Sequence, residues 1–104
     1  MKRIMLVCGA GMSTSLLVTK MQQAAKDMGE EAEIFALPIS DGITKLTEVD
    51  CVLLGPQVRY EKKNVENKIK ELGLNLPYDV IDMRDYGTMN GAKVYAFAKE
   101  LMGE

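Results

Sequence analysis

The sequence predicts an α/β domain in which a four-stranded parallel sheet carries helices on both faces. Three observations point to it. Four short apolar runs recur along the 104 residues, and each is followed by a segment with helical spacing. Glycines stand where two of those helices must stop, at Gly29 and Gly73. Strand and helix in strict alternation build a parallel sheet covered on both sides.

Lys2–Val7 is the first strand, and Ser13–Met28 the first helix, with Leu17, Met21, Ala24, Ala25 and Met28 on one face. Ala32–Leu37 reads as a second strand and Gly42–Thr47 as a short helix. The nearly all-apolar run Cys51–Gly55 is a third strand. Glu61–Leu72 follows as an amphipathic helix that turns Val65, Ile69 and Leu72 inward. Tyr78–Asp82 is the fourth strand, and Asn90–Met102 the last helix, with Val94, Phe97, Ala98 and Leu101 inward. No linker or internal repeat divides the chain, so residues 1–104 are expected to form a single domain. In such folds ligands collect at the carboxyl ends of the strands, which places loops 8–13, 38–41, 55–60 and 83–89 on the working edge.

Composition narrows the chemistry. With 47% hydrophobic and 27% charged residues the chain is an ordinary globular one, and thirteen basic against fifteen acidic residues leave a net charge of -2. No basic run supports a nucleic-acid partner. The apolar runs are far shorter than the roughly 20 residues needed to span a bilayer. The apolar stretch after Met1-Lys2-Arg3 breaks too early for a signal peptide, so a cytoplasmic location is expected. Two cysteines without a C-x-x-C spacing suit a reducing compartment. Histidine is absent, which removes the usual base of a serine or cysteine hydrolase and the commonest metal ligand.

The first loop is the richest segment. Cys8-Gly9-Ala10-Gly11-Met12-Ser13-Thr14-Ser15 runs from the first strand into the first helix. Gly9 and Gly11 let a ligand approach the main chain. Backbone N–H groups curving into a helix N-terminus form an anion site that also favours a thiolate. The hydroxyls of Ser13, Thr14 and Ser15 can cap the helix or bind an oxyanion. The expectation is a nucleophilic Cys8 beside a phosphate cradle made of residues 9–15. Cys51 lacks any such setting and is expected to pack in the core.

Other phosphate motifs fail here. A dinucleotide fingerprint needs a third glycine where Thr14 stands and an acidic residue where Leu37 and Pro38 stand. A nucleotide P-loop needs Gly-Lys-Ser/Thr, and the loop has no lysine. A cysteine-dependent phosphatase places an arginine where this chain has Thr14; without that clamp, hydrolysis of a phosphocysteine is expected to be slow. Two rivals to a carrier therefore stand at this point: a phosphatase-like hydrolase and a non-enzymatic anion-binding regulatory module.

The chain resembles the IIB components of the bacterial phosphoenolpyruvate-dependent sugar phosphotransferase system, of the lactose/cellobiose (chitobiose) type. The resemblance rests on residues 8–18, on Leu-Leu-Gly-Pro-Gln at 53–57, and on Val-Ile-Asp with Asp-Tyr-Gly following at 80–87. Gly9 is a departure, since relatives often carry serine there. The resemblance implies a three-layer fold with strand order 2-1-3-4, similar to low-molecular-weight protein tyrosine phosphatases. It implies that Cys8 takes a phosphoryl group from a phosphohistidine of the IIA component. The group then passes to a sugar held by the membrane component IIC, a β-linked disaccharide such as cellobiose, chitobiose or lactose. It also implies a cytoplasmic protein that associates with the membrane transporter. Neither metal nor organic cofactor is implied.

Beyond the loop, Gln57, Arg59, Tyr60, Arg84 and Tyr86 are expected on the same edge, as site wall or docking surface. Arg59 and Arg84 carry charge that suits a phosphocysteine or acidic partner groups, and an ordinary solvated charge explains them equally well. Tyr60 and Tyr86 suit an amphipathic contact or half-buried packing. Met12, apolar in an exposed loop, suits a transient docking face.

Overall fold

The computed structural model describes residues 1–9 and 13–104, and of Ser13 the main chain alone. Four strands, β1 (Lys2–Cys8), β2 (Ala32–Pro38), β3 (Cys51–Leu54) and β4 (Tyr78–Val80), form one sheet in the order β2-β1-β3-β4, and every pairing is parallel. The helices are α1 (Ser13–Asp27), α2 (Ile39–Gly42), α3 (Lys62–Glu71), α4 (Met83–Gly87) and α5 (Gly91–Leu101).

The two-residue period of a strand sends alternate side chains to opposite faces. Ile4 and Leu6 of β1 join Leu17, Met21, Val94 and Tyr95 under α1 and α5. Met5 and Val7 join Val52, Leu54, Val65 and Ile69 under α3. Helices on both faces give the three layers. β1 is central and buried on both sides, which explains its unbroken run of apolar residues from Ile4 to Cys8.

The main departures from the sequence reading lie at helix ends. Met28 is 56% exposed and Leu72 41%, because α1 and α3 stop one residue short of them. Gly29 and Gly73 then turn the chain at φ of 70° and 67°, as expected. The expected helix over Gly42–Thr47 is instead α2, which starts directly after Pro38, followed by a 3-10 turn at Leu46–Glu48. The expected loop 83–89 contains α4. Asp82 makes the difference: its Oδ1 accepts hydrogen bonds from the main-chain N–H of Arg84 and Asp85 and so caps a new helix.

The amino end of the sheet is closed by charge pairs. The buried Tyr95 donates its hydroxyl to Glu30 Oε1 at 2.6 Å, and Lys99 Nζ reaches Glu30 Oε2 at 2.7 Å. Lys2 pairs with Glu104 at 2.6 Å, and Arg3 gives its main-chain N–H to Asp50 and its Nε to Glu33, each at 2.8 Å. At the open edge of the sheet, Ile81 N–H bonds inward to Leu54 O, while Val80 N–H is taken by Asp79 Oδ1 at 2.7 Å. The same Asp79 oxygen accepts Lys62 Nζ at 3.0 Å.

Candidate active site at the carboxyl end of the sheet

From β1 the chain crosses first to β2 on one side and later returns to β3 on the other, so strand order reverses between β1 and β3. That reversal opens a crevice beyond the carboxyl ends of these two strands, the usual ligand position in open α/β sheets. Cys8 is the last residue of β1, and Gly55 follows β3 directly, with its N–H on Val7 O at 2.9 Å. The cysteine therefore stands at the switch point.

Continuing the alternation from Ile4 and Leu6, Cys8 belongs on the α1 side of the sheet. Its side chain is 6% exposed, more covered than a residue on an open rim would be. Thr14, in the first turn of α1, donates its hydroxyl to Cys8 Sγ at 3.3 Å and is itself only 2% exposed. On the other side the thiol faces Leu37 O at 3.8 Å, a long contact that a thiol makes as a weak donor. The sulfur thus sits between a hydroxyl donor from the start of α1 and a carbonyl from the end of β2.

Gly55 lies at the same end of the sheet, beyond β3. A Cβ there would lie 2.8 Å from Gln57 Oε1 and at ordinary contact, 3.7 Å, from Tyr86 Cε2, so a larger residue would push the Gln57 carboxamide aside. Gln57 Nε2 donates to the Tyr86 hydroxyl at 2.9 Å and ties the turn after β3 to α4. Tyr86 is 8% exposed and belongs to the core on the α1 side of the sheet, so it is more deeply buried than a half-buried surface aromatic. Val58, buried on the other core, approaches the Gly9 end of the loop.

The remaining candidates divide. Arg59 lies in the 3-10 turn Pro56–Glu61, where its Nη1 folds back onto Pro56 O at 3.0 Å. Tyr60 is 74% exposed and free to act only at a surface. Arg84, on α4 rather than on a loop, lines an open groove of about 690 Å³ with Asp82, Met83, Asp85 and Lys93; neither Cys8 nor Thr14 lines it. Ser15 is exposed, and its carbonyl accepts the Thr19 hydroxyl within α1. Ala10, Gly11 and Met12, and the Ser13 side chain, lie outside the described residues.

Sequence reasoning missed the close approach of Gln57 to Gly55, since the φ of −63° is open to any residue and the crowding comes only from a spatial neighbour. It also missed the Gln57–Tyr86 bond, which joins residues 29 apart. Cys51 behaves as expected: it is fully buried at the start of β3. Burial, followed by the nearby charge of Asp50, pushes its thiol up to about 12.

The family model for the lactose/cellobiose-specific IIB subunit of the phosphotransferase system matches residues 3–97. The chain belongs to this IIB family. It is 50% identical to the cellobiose-specific EIIB component of Lactococcus lactis subsp. lactis (strain IL1403), over 97% of this chain and 96% of that protein. It is 43% identical to the oligo-beta-mannoside-specific EIIB component of Bacillus subtilis (strain 168), over 98% and 97%. Among solved structures, the cellobiose-specific IIB component of Borrelia burgdorferi superposes with a TM-score of 0.79 at 40% identity, covering 98% of this chain and 92% of that one. This IIB chain is accordingly a phosphoryl-carrying component of a sugar phosphotransferase system, in which IIB components work with IIA and IIC components and a sugar. Among the described residues no helix is long and apolar enough to cross a membrane.

Proposed function

We propose that Cys8 is the residue that carries the phosphoryl group. It takes the group from a phosphohistidine on a IIA component and gives it to a sugar held by a membrane IIC component, at the cytoplasmic face. The observation that supports this most is the placement of the thiol at the strand-order switch, with a buried hydroxyl donor from the first turn of α1 at 3.3 Å. A long helix beginning beside the sulfur supplies the positive end that suits both a thiolate and a phosphoryl group. The main-chain amides of residues 9–15 are the proposed phosphate donors, and residues 1–104 act as one domain. No arginine stands in the loop to promote attack by water, which favours a carrier over a hydrolase.

The sugar is a β-linked disaccharide such as cellobiose, chitobiose or lactose; the names of the relatives, cellobiose and oligo-beta-mannoside among them, support a β-linked class. The experiment is incubation with phosphoenolpyruvate, the general phosphotransferase proteins and a matching IIA, followed by intact mass and peptide mapping. Phosphate on the Cys8 peptide, discharged when IIC vesicles and the sugar are added, is the expected result. Phosphate on another residue with Cys8 unmodified overturns the mechanism.

A further inference from the structure

We infer that the Thr14 side chain positions the sulfur itself and is not a donor to the phosphate: its hydroxyl holds the unphosphorylated Cys8 sulfur between transfers. The inference rests on the reading of Cys8 as the phosphoryl acceptor. Thr14 is 2% exposed, and its Oγ1 donates to Cys8 Sγ at 3.3 Å. A hydroxyl has one hydrogen to give, so while it is committed to sulfur it is not available to a phosphate oxygen. Ser15 one residue on is exposed instead, so the two hydroxyls of one helix turn have different surroundings.

The consequence follows from where charge sits in each step. In the loading step the thiolate lone pair forms the S–P bond while the P–N bond of the donor phosphohistidine breaks, its electron pair staying on the imidazole. In the unloading step the sugar hydroxyl oxygen attacks phosphorus and loses its proton to a base on the sugar's side. The S–P bond breaks, and its pair returns to sulfur. The Thr14 proton stays on Thr14 throughout. Sulfur is anionic at the start of loading and the end of unloading, and close to neutral in the phosphocysteine. A donor aimed at sulfur therefore stabilises the leaving group more than the bonded state, which favours delivery of the phosphoryl group.

Thr14→Val removes the hydroxyl and keeps the shape, and Thr14→Ser keeps the hydroxyl. The measurements are the pH dependence of Cys8 alkylation by iodoacetamide, followed by peptide mass, and the single-turnover discharge of phosphorylated IIB to sugar. Thr14→Val is expected to slow both Cys8 alkylation at neutral pH and discharge to sugar about tenfold or more, the scale of one hydrogen bond to a charged group. Thr14→Ser is expected to restore both. Should Thr14→Val not fold, Thr14→Ala serves in the same two measurements. An alkylation profile that coincides with the parent's, with Cys8 still phosphorylated, overturns the inference and leaves the carrier reading intact. Failure of the parent itself to be phosphorylated at Cys8 overturns the carrier reading, and the alkylation profiles then still decide whether Thr14 holds the sulfur.

Discussion

The two ends of the sheet each bury a cysteine, and the two thiols have different surroundings. At the amino end, Cys51 is fully covered, and burial reinforced by the charge of Asp50 keeps it protonated, with its thiol at about 12. The charged groups around that end are paired with one another: Glu30 with Lys99 and Lys2, Lys2 with Glu104, and Arg3 with Glu33. At the carboxyl end, Cys8 is almost as deeply covered at 6%, yet it meets the Thr14 hydroxyl and stands where strand order reverses. Depth alone therefore does not distinguish the two cysteines. The atoms facing the sulfur do.

The largest test of that contrast replaces each thiol in turn. Cys8→Ala is expected to abolish phosphoryl uptake from phosphorylated IIA. Cys51→Ala is expected to leave uptake within about twofold while lowering stability by about 1–2 kcal/mol in urea unfolding, the cost of a small cavity. Uptake that survives Cys8→Ala and disappears in Cys51→Ala would reverse the comparison. Next in size is labelling: at neutral pH iodoacetamide should modify Cys8 at least about a hundredfold faster than Cys51 in the folded protein, because thiolate is the reactive form. Equal rates would show that the two environments do not differ in the way described.

Gly55→Ala sharpens the comparison by disturbing the carboxyl end alone. The added methyl meets Gln57 Oε1 at 2.8 Å, so the Gln57–Tyr86 bond has to shift. Transfer is expected to fall a few-fold, with a stability loss below about 1 kcal/mol, because the Gln57 carboxamide can swing aside. A fully active Gly55→Ala protein would remove that contact from the site.

The smallest effect belongs to the amino end. The hydrogen bond from Lys99, then that from Tyr95, holds the Glu30 carboxyl below its ordinary value of 4.5. The unfolded chain therefore takes up this proton first as pH falls. The stability from Glu30 is complete above about 4.5 and drains away as pH drops through the lower folded value. Glu30→Gln should flatten that part of the curve when urea midpoints are compared between about pH 3 and pH 7. Transfer at neutral pH should not change, since Glu30 lies at the far end of the sheet from Cys8.

Much of this architecture was legible because it depends on local signals. Apolar runs gave β1 and β3, 3.6-residue spacing gave α1, α3 and α5, and Gly29 and Gly73 marked where α1 and α3 end. α4 was hidden because its five residues show no period, and only the capping geometry of Asp82 reveals it. Met28 and Leu72 fit the apolar stripe in sequence, but the helices end before carrying them over the core. At the site, Cys8 and the turn after β3 could be placed on one edge from the strand–helix alternation, since all strands of a parallel sheet end on the same side. The direction of the Thr14 hydroxyl could not be read, since it depends on how a turn presents one rotamer to a sulfur six residues earlier. Nor could the contact of Gln57 with Tyr86, which exists only once the third and fourth strands are side by side.

The outermost strand carries a last consequence. A sheet edge with bare amides invites a stranger's backbone to continue the ladder. Here the outward amide of Val80 is already occupied by the side chain of its own neighbour Asp79, and Lys62 steadies that carboxylate. A member of a family that works with IIA and IIC components thus keeps this amide from a further chain that would zip onto the margin.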